Sequence, residues 1–301
     1  MSKASRKKGS RRRGKKPGKA RRAPSASMAP RSALGIATST RKPVAERVAA
    51  MAYVTPIVCG DDAQLEALLK VLRDPNEPIR VRLAALQALQ AASFAVVEFQ
   101  SCRGPYLATL RAVATDPDPE IRQRVLGLLA RENDGFAEQK LLAGLQNPED
   151  ALVPPEKALQ LLSYDVHAEA YPVARMIVSQ PPNEAAREEA LRLLAADASA
   201  QPLFEQILRD KKETKEVRQL CASALQAIAP KALQRHARAI LLDPKEYDDI
   251  QTTSLTALTQ FGNLASIEND NKLLERVTAL KGTASSKLKQ GARRFLTKYG
   301  P

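Results

Sequence analysis

Tryptophan is absent from this 301-residue chain, and aromatic residues make up only 4% of it. A core built around large rings is therefore excluded. The apolar mass, 44% of the chain, falls mainly to Leu and Ala, which form helices readily and let helices pack closely. The expected class is all-α. The three cysteines, Cys59, Cys102 and Cys221, are far apart and none stands in a C-x-x-C pair. No disulfide framework and no zinc spacing follows, so they are expected as thiols in a reducing compartment. The two histidines, His167 and His236, lie in no H-E-x-x-H, and there is no G-x-S-x-G, so the metalloprotease and hydrolase signatures are missing. No apolar run approaches the roughly 18 residues of a membrane span. The stretch 48–58 is short and interrupted by Thr55 and Pro56. No apolar segment follows the charged start, so no secretory leader is expected. The chain is expected to carry no metal, cofactor or membrane contact and to act inside the cell, in the cytoplasm or at the nucleoid or nucleus.

Acid is also missing from both ends. Residues 1–45 hold 15 Lys/Arg and no Asp or Glu, residues 46–275 hold 25 basic against 33 acidic, and residues 276–301 hold seven basic and none acidic. A mildly acidic body thus carries a basic arm and a basic cap. Residues 1–45 are rich in Gly, Pro, Ser and Ala and poor in large apolar side chains. Nothing there offsets the entropy of ordering, and a disordered tail is expected. Arg6, Lys7, Lys8, Arg11, Arg12, Arg13, Lys15, Lys16, Lys19, Arg21 and Arg22 are the candidate nucleic-acid contacts, because such a run neutralises phosphates without regard to sequence. With no aromatic side chain among them, base-specific stacking is not expected. An import signal, an acidic protein partner or an organelle address would also fit this composition. The segment from Gly9 to Lys15 has most of a phosphate-binding loop, but Lys16 stands where Ser or Thr should hold Mg²⁺ and no strand precedes it, so no nucleotide site is expected.

From residue 46 the pattern changes to Leu/Ala-rich helices broken at steady intervals. Leu65, Leu68, Leu69 and Leu72 fall at i, i+3, i+4 and i+7, one face of a helix. Asp74-Pro75 breaks it, and the next segment, from Ile79, is apolar on several sides and so needs cover from neighbours. Breaks recur at Asp116, Asn147, Pro181, Asp210 and Asp243, in steps of 42, 31, 34, 29 and 33 residues from Asp74. Two helices per period of this length predict a solenoid: six helical hairpins, then a seventh, less regular pair from about Ala265 to Tyr299. The domain boundary is drawn after residue 45, with 46–301 as the solenoid and its capping helix.

The segments DPNEPIRVRLAALQAL and DPDPEIRQRVLGLL resemble HEAT repeats, and the resemblance covers roughly residues 61–262. It implies a structural ladder in which a turn Asp and an Arg six positions on stack between repeats. Asp74/Arg80 and Asp116/Arg122 have that spacing; Asp210 and Arg218 stand eight apart. The leading functional expectation is a non-enzymatic scaffold, monomeric, that holds a protein partner on its concave surface and nucleic acid on its tail. The alternative is an enzyme on HEAT-like repeats, similar to alkylpurine DNA glycosylases or bilin lyases. A glycosylase would need aromatic side chains and a carboxylate around a damaged base. Tyr106, Tyr164, Phe204 and Tyr247 occur about once per unit, which reads as core anchors instead.

Overall fold

The structure, a computed structural model, describes residues 28–165, 168–283 and 285–300, and no strand occurs among them. The helices in chain order are α1 (Pro30–Thr38), α2 (Val44–Met51), α3 (Asp62–Arg73), α4 (Ile79–Ser93), α5 (Val96–Phe99), α6 (Arg103–Val113), α7 (Pro119–Arg131), α8 (Gly135–Gln146), α9 (Pro155–Leu162), α10 (Tyr171–Ser179), α11 (Glu184–Leu194), α12 (Gln201–Arg209), α13 (Lys215–Ile228), α14 (Pro230–Leu242), α15 (Asp248–Phe261), α16 (Leu264–Glu268), α17 (Asn271–Thr283) and α18 (Ser286–Tyr299).

The breaks are turns whose polar side chains hold the backbone locally. Oδ1 of Asp74, Asp116, Asp210 and Asp243 each accepts from the amide two residues on, at 2.9–3.0 Å. Short polar side chains favour such turns over continued helix. Across the breaks, α3 packs on α4, α6 on α7, α8 on α9, α10 on α11, α12 on α13 and α14 on α15, and at the C-terminal end α17 packs on α18. The second helices also meet one another in succession, from α2 to α4, α7, α9, α11, α13, α15 and α18. The result is an all-α, HEAT-like solenoid of two helix layers with the core between them. Leu65, Leu68, Leu69 and Leu72 are buried there, each side chain contributing roughly 1.5–3 kcal/mol. The C-terminal pair, with α16, closes its own cluster around Phe295 and Tyr299, and the Tyr299 hydroxyl donates to Leu258 O at 2.9 Å.

Three expectations need correction here. The boundary after residue 45 falls too late: α1 and α2 form a further packed pair, with Ala33 and Ala37 fully buried. Small side chains let α1 approach its neighbours, but they give no apolar stripe that stands out in sequence. Residues 1–27, which hold the eleven candidate tail contacts, lie outside the described residues. Second, Cys59 and Cys102 are joined by a disulfide with Cα atoms 6.0 Å apart; packing of the turn before α3 against the start of α6 brings them together across 43 residues. Third, of the supposed aromatic anchors, Tyr106 and Phe204 are buried but Tyr164 and Tyr247 are 48% and 46% exposed.

The polar ladder is real but shifted in register. Arg82 donates through Nε to Leu72 O at 3.0 Å, and its guanidinium grips Asp116 of the next repeat. Arg47 does the same to Ala37 O and Glu77, and Arg218 to Leu208 O and Glu246. Arg187 reaches Glu213. Arg47, Arg82 and Arg218 thus tie the end of their own first helix to the turn of the following repeat. Arg122 bonds carbonyls instead, those of Leu152, Asp116 and Pro117. Arg80 is exposed, and Asp74 and Asp210 serve their own turns. In α4 and α13 the ladder arginine follows the first buried apolar residue of the helix, as Val81-Arg82 and Val217-Arg218.

Candidate functional site

Second helices that stack side by side leave grooves between their exposed faces. One such groove, of about 720 Å³, runs across α4, α7 and α9. Its floor is apolar, with Leu86 on α4, Leu128 on α7 and Leu161 on α9, and Gly127 leaves it open at the middle. A methyl group built on Gly127 would sit 3.6 Å from Leu161, ordinary contact. The rim is polar and mostly basic: Arg124, Arg131 and Lys157 against the single carboxylate of Glu120, with amides from Gln87, Gln90 and Gln123. Glu120 accepts from Arg124 at 2.8 Å, a pair one helical turn apart. The guanidinium of Arg131 lies over the Tyr164 ring, 5.7 Å from its centroid, where the ring's negative face attracts a cation. Lys157 donates to Gln160 at 2.8 Å. The groove therefore offers a half-exposed ring, one carboxylate and three cations around an apolar floor.

Beyond Lys157 the lining changes sign. The adjoining groove between α9 and α11, about 470 Å³, carries Glu156, Glu188 and Glu189; Arg192 pairs with both of the latter. At the C-terminal end Lys287 and Arg294 of α18 line a pocket of about 250 Å³ with Thr252, Thr256 and Thr259 of α15. The threonine hydroxyls donate to carbonyls of their own helix.

Several titratable groups outside the grooves are engaged in packing. His236 Nε2 stands 2.7 Å from Glu205, and that contact is the main cause holding the Glu205 carboxyl below its usual range. His167 lies outside the described residues. Cys221 is sealed in the core, and burial pushes its thiol up to about 12. Burial also opposes ionisation of Asp116 and Glu246, but hydrogen bonds from Arg82 to the first, and from Arg218 and Lys211 to the second, outweigh it and lower both. No group of three or more His, Cys, Asp or Glu suited to a metal occurs among the described residues. No helix among them is long and apolar enough to cross a membrane.

No protein-family profile matches the chain, and no curated protein does. Solved structures share its HEAT-like helical fold. One is human deoxyhypusine hydroxylase in complex with glycerol, at 15% identity and a TM-score of 0.34 over 81% of this chain and 98% of that one. Another is the complex of CpcE and CpcF of phycocyanin lyase from a Nostoc species, at 16% identity and a TM-score of 0.39 over 89% of this chain and 99% of that one. Both are catalytic proteins by name, at variance with the expectation of a non-enzymatic scaffold, which is not carried further. The likeness is one of fold alone. No substrate and no residue role is carried over from either protein.

The groove residues were missed in the sequence because they come from three helices. On each, Gln, Arg and Lys read as an ordinary solvated face. The available signal was Tyr164, an aromatic at the end of a second helix rather than inside one.

Proposed function

We propose that this chain is an enzyme of the HEAT-like repeat class whose substrate is a nucleic acid, engaged in the groove across α4, α7 and α9. One observation carries the reading: Tyr164, half-exposed with Arg131 over its ring, shares a groove with Glu120, Arg124 and Lys157. A ring on which a base can stack contributes about 1–3 kcal/mol, and cations beside it suit phosphates. The carboxylate gives the groove a group that can stabilise positive charge developing on a sugar as a base departs, the charge pattern of glycosidic cleavage. The floor around Gly127 is apolar, a surface against which a flat ring can lie. The reaction class that fits is removal of a base from its sugar, with Glu120 as the stabilising carboxylate and Tyr164 as the stacking platform. The basic tail supports the same substrate by adding non-specific attachment.

The test is release of free base from duplex DNA carrying alkylated purines. Wild-type chain should release base, Glu120→Gln should lower the rate by at least about tenfold, roughly 1.4 kcal/mol of barrier, and Tyr164→Ala should weaken substrate binding. No release from alkylated duplex, together with saturable binding of a linear tetrapyrrole in this groove, would replace the nucleic-acid reading with the bilin-lyase one.

A further inference from the structure

A smaller cavity lies away from the groove, where the chain passes from α4 through α5 to α6. It encloses about 300 Å³, the lower end of the range for small-molecule sites. Phe99 and Tyr106 line it, with rings edge to face at 5.3 Å. Arg103 and Glu132 also line it, paired at 2.5 Å.

Two features are out of balance with a purely structural role. The first is Tyr106. Its side chain is 3% exposed, yet its hydroxyl has no hydrogen-bond partner in the protein. A buried polar group left unpaired costs about 1–3 kcal/mol, and buried tyrosine hydroxyls are ordinarily paired. Burial, reinforced by the Glu132 charge, raises the phenol's pKa, so the group is a neutral donor at any physiological pH. The second is the rim. Val96 lines the cavity and is 71% exposed, and Phe94 and Val97 beside it are 78% and 84% exposed. Three large apolar side chains within four residues, on a connection that could have been polar, amount to an uncovered apolar surface at a cavity mouth.

We propose that this cavity binds a small neutral amphiphile: an uncharged headgroup that accepts a hydrogen bond from the Tyr106 hydroxyl, and an apolar chain that covers Val96, Val97 and Phe94. A charged headgroup is disfavoured because Arg103 and Glu132 already neutralise each other at the site, and either ion would meet a like charge at once. A primary amide suits the site best, since its carbonyl can accept a hydrogen bond from the Tyr106 hydroxyl while its N–H groups face Glu132. The site is independent of the groove across α4, α7 and α9.

The experiment titrates the full chain with hexanamide, hexanoate and hexylammonium by saturation-transfer NMR, alongside thermal melts. Hexanamide should bind saturably and at least tenfold more tightly than either ion. Tyr106→Phe should weaken hexanamide about tenfold while leaving the melting temperature unchanged or higher, because the hydroxyl loses no partner in the protein. Ser93→Phe, which fills the cavity from its rim, should abolish binding without touching Tyr106. The proposal is overturned if hexanamide does not saturate, if an ion binds as well, or if Tyr106→Phe binds like wild type. A drop of several degrees in the Tyr106→Phe melt would overturn it too, because the hydroxyl would then be paired within the protein.

Discussion

Removing Arg82 should be among the most damaging single changes in the solenoid. Its side chain is 1% exposed and its ion-pair partner Asp116 is nearly as buried. Arg82→Met keeps the apolar stem but deletes three donors, to Leu72 O and to both oxygens of Asp116. Asp116 then keeps only the bond from the Asp118 amide at 3.0 Å. Breaking a buried pair from one side costs about 3–5 kcal/mol, because the remaining charge is stranded. Against a typical total of about 5–15 kcal/mol, one rung is a large fraction. Urea unfolding followed by helical circular dichroism reads it. The expected result is a loss of about 3–5 kcal/mol, with an early separate transition if the units N-terminal to Asp116 uncouple from the array. Adding Asp116→Leu should recover part of the loss, since no charge is then stranded. The recovery is incomplete because the Asp118 amide loses its acceptor. A loss under about 1 kcal/mol for Arg82→Met would show that the rung is solvated and the reasoning false.

A chain beginning at residue 28 should melt like the whole, whereas one beginning at 44 should melt several degrees lower. The second removes α1 and leaves Arg47 Nε without the Ala37 carbonyl it meets at 2.9 Å; differential scanning calorimetry decides between them. Stability should fall as the pH drops below about 4.5. Asp116 and Glu246 titrate below their ordinary values when folded, so the unfolded chain takes up protons first, and the contribution is full above the unfolded carboxylate values and lost through the depressed ones. Thermal melts from pH 3 to 6 should show this, and Asp116→Asn with Glu246→Gln should flatten the dependence. Gly127→Ala should stabilise α7 by roughly 0.5–1 kcal/mol, since the helix gains propensity and the added methyl meets only ordinary contact; a loss in urea unfolding would mean that the floor of the groove has no room.

The helical pairs were legible because their breaks use residues with one local job. Asp74, Asp116, Asp210 and Asp243 each close their own turn, so a short window of sequence holds the whole cause. The ladder was legible as a kind of residue but not as a register. The spacing from turn Asp to Arg selects Arg80, whereas burial selects Arg82, and only the packing of one repeat on the next separates the two. The α1 helix escaped notice because Ala33 and Ala37 are small and sit among the basic, Ser- and Pro-rich residues that define a tail. The Cys59–Cys102 pair and the groove share one obstacle: their members lie tens of residues apart and meet only through the stacking of repeats. Tyr164 read as a core anchor because spacing alone does not say which side of a helix end faces solvent.

On the proposed function, the groove across α4, α7 and α9 meets nucleic acid through its own side chains and not merely through the tail. The most direct measurement is duplex DNA binding at several salt concentrations by the chain beginning at residue 28, compared with the same chain carrying Arg124→Gln, Arg131→Gln and Lys157→Gln. Each phosphate contact contributes about −0.9 to the slope of log K against log salt. The expected result is saturable binding by the parent and a slope flattened by about 2 to 3 in the triple variant. Equal affinity and equal slope for the two chains, or no binding by either, would contradict it.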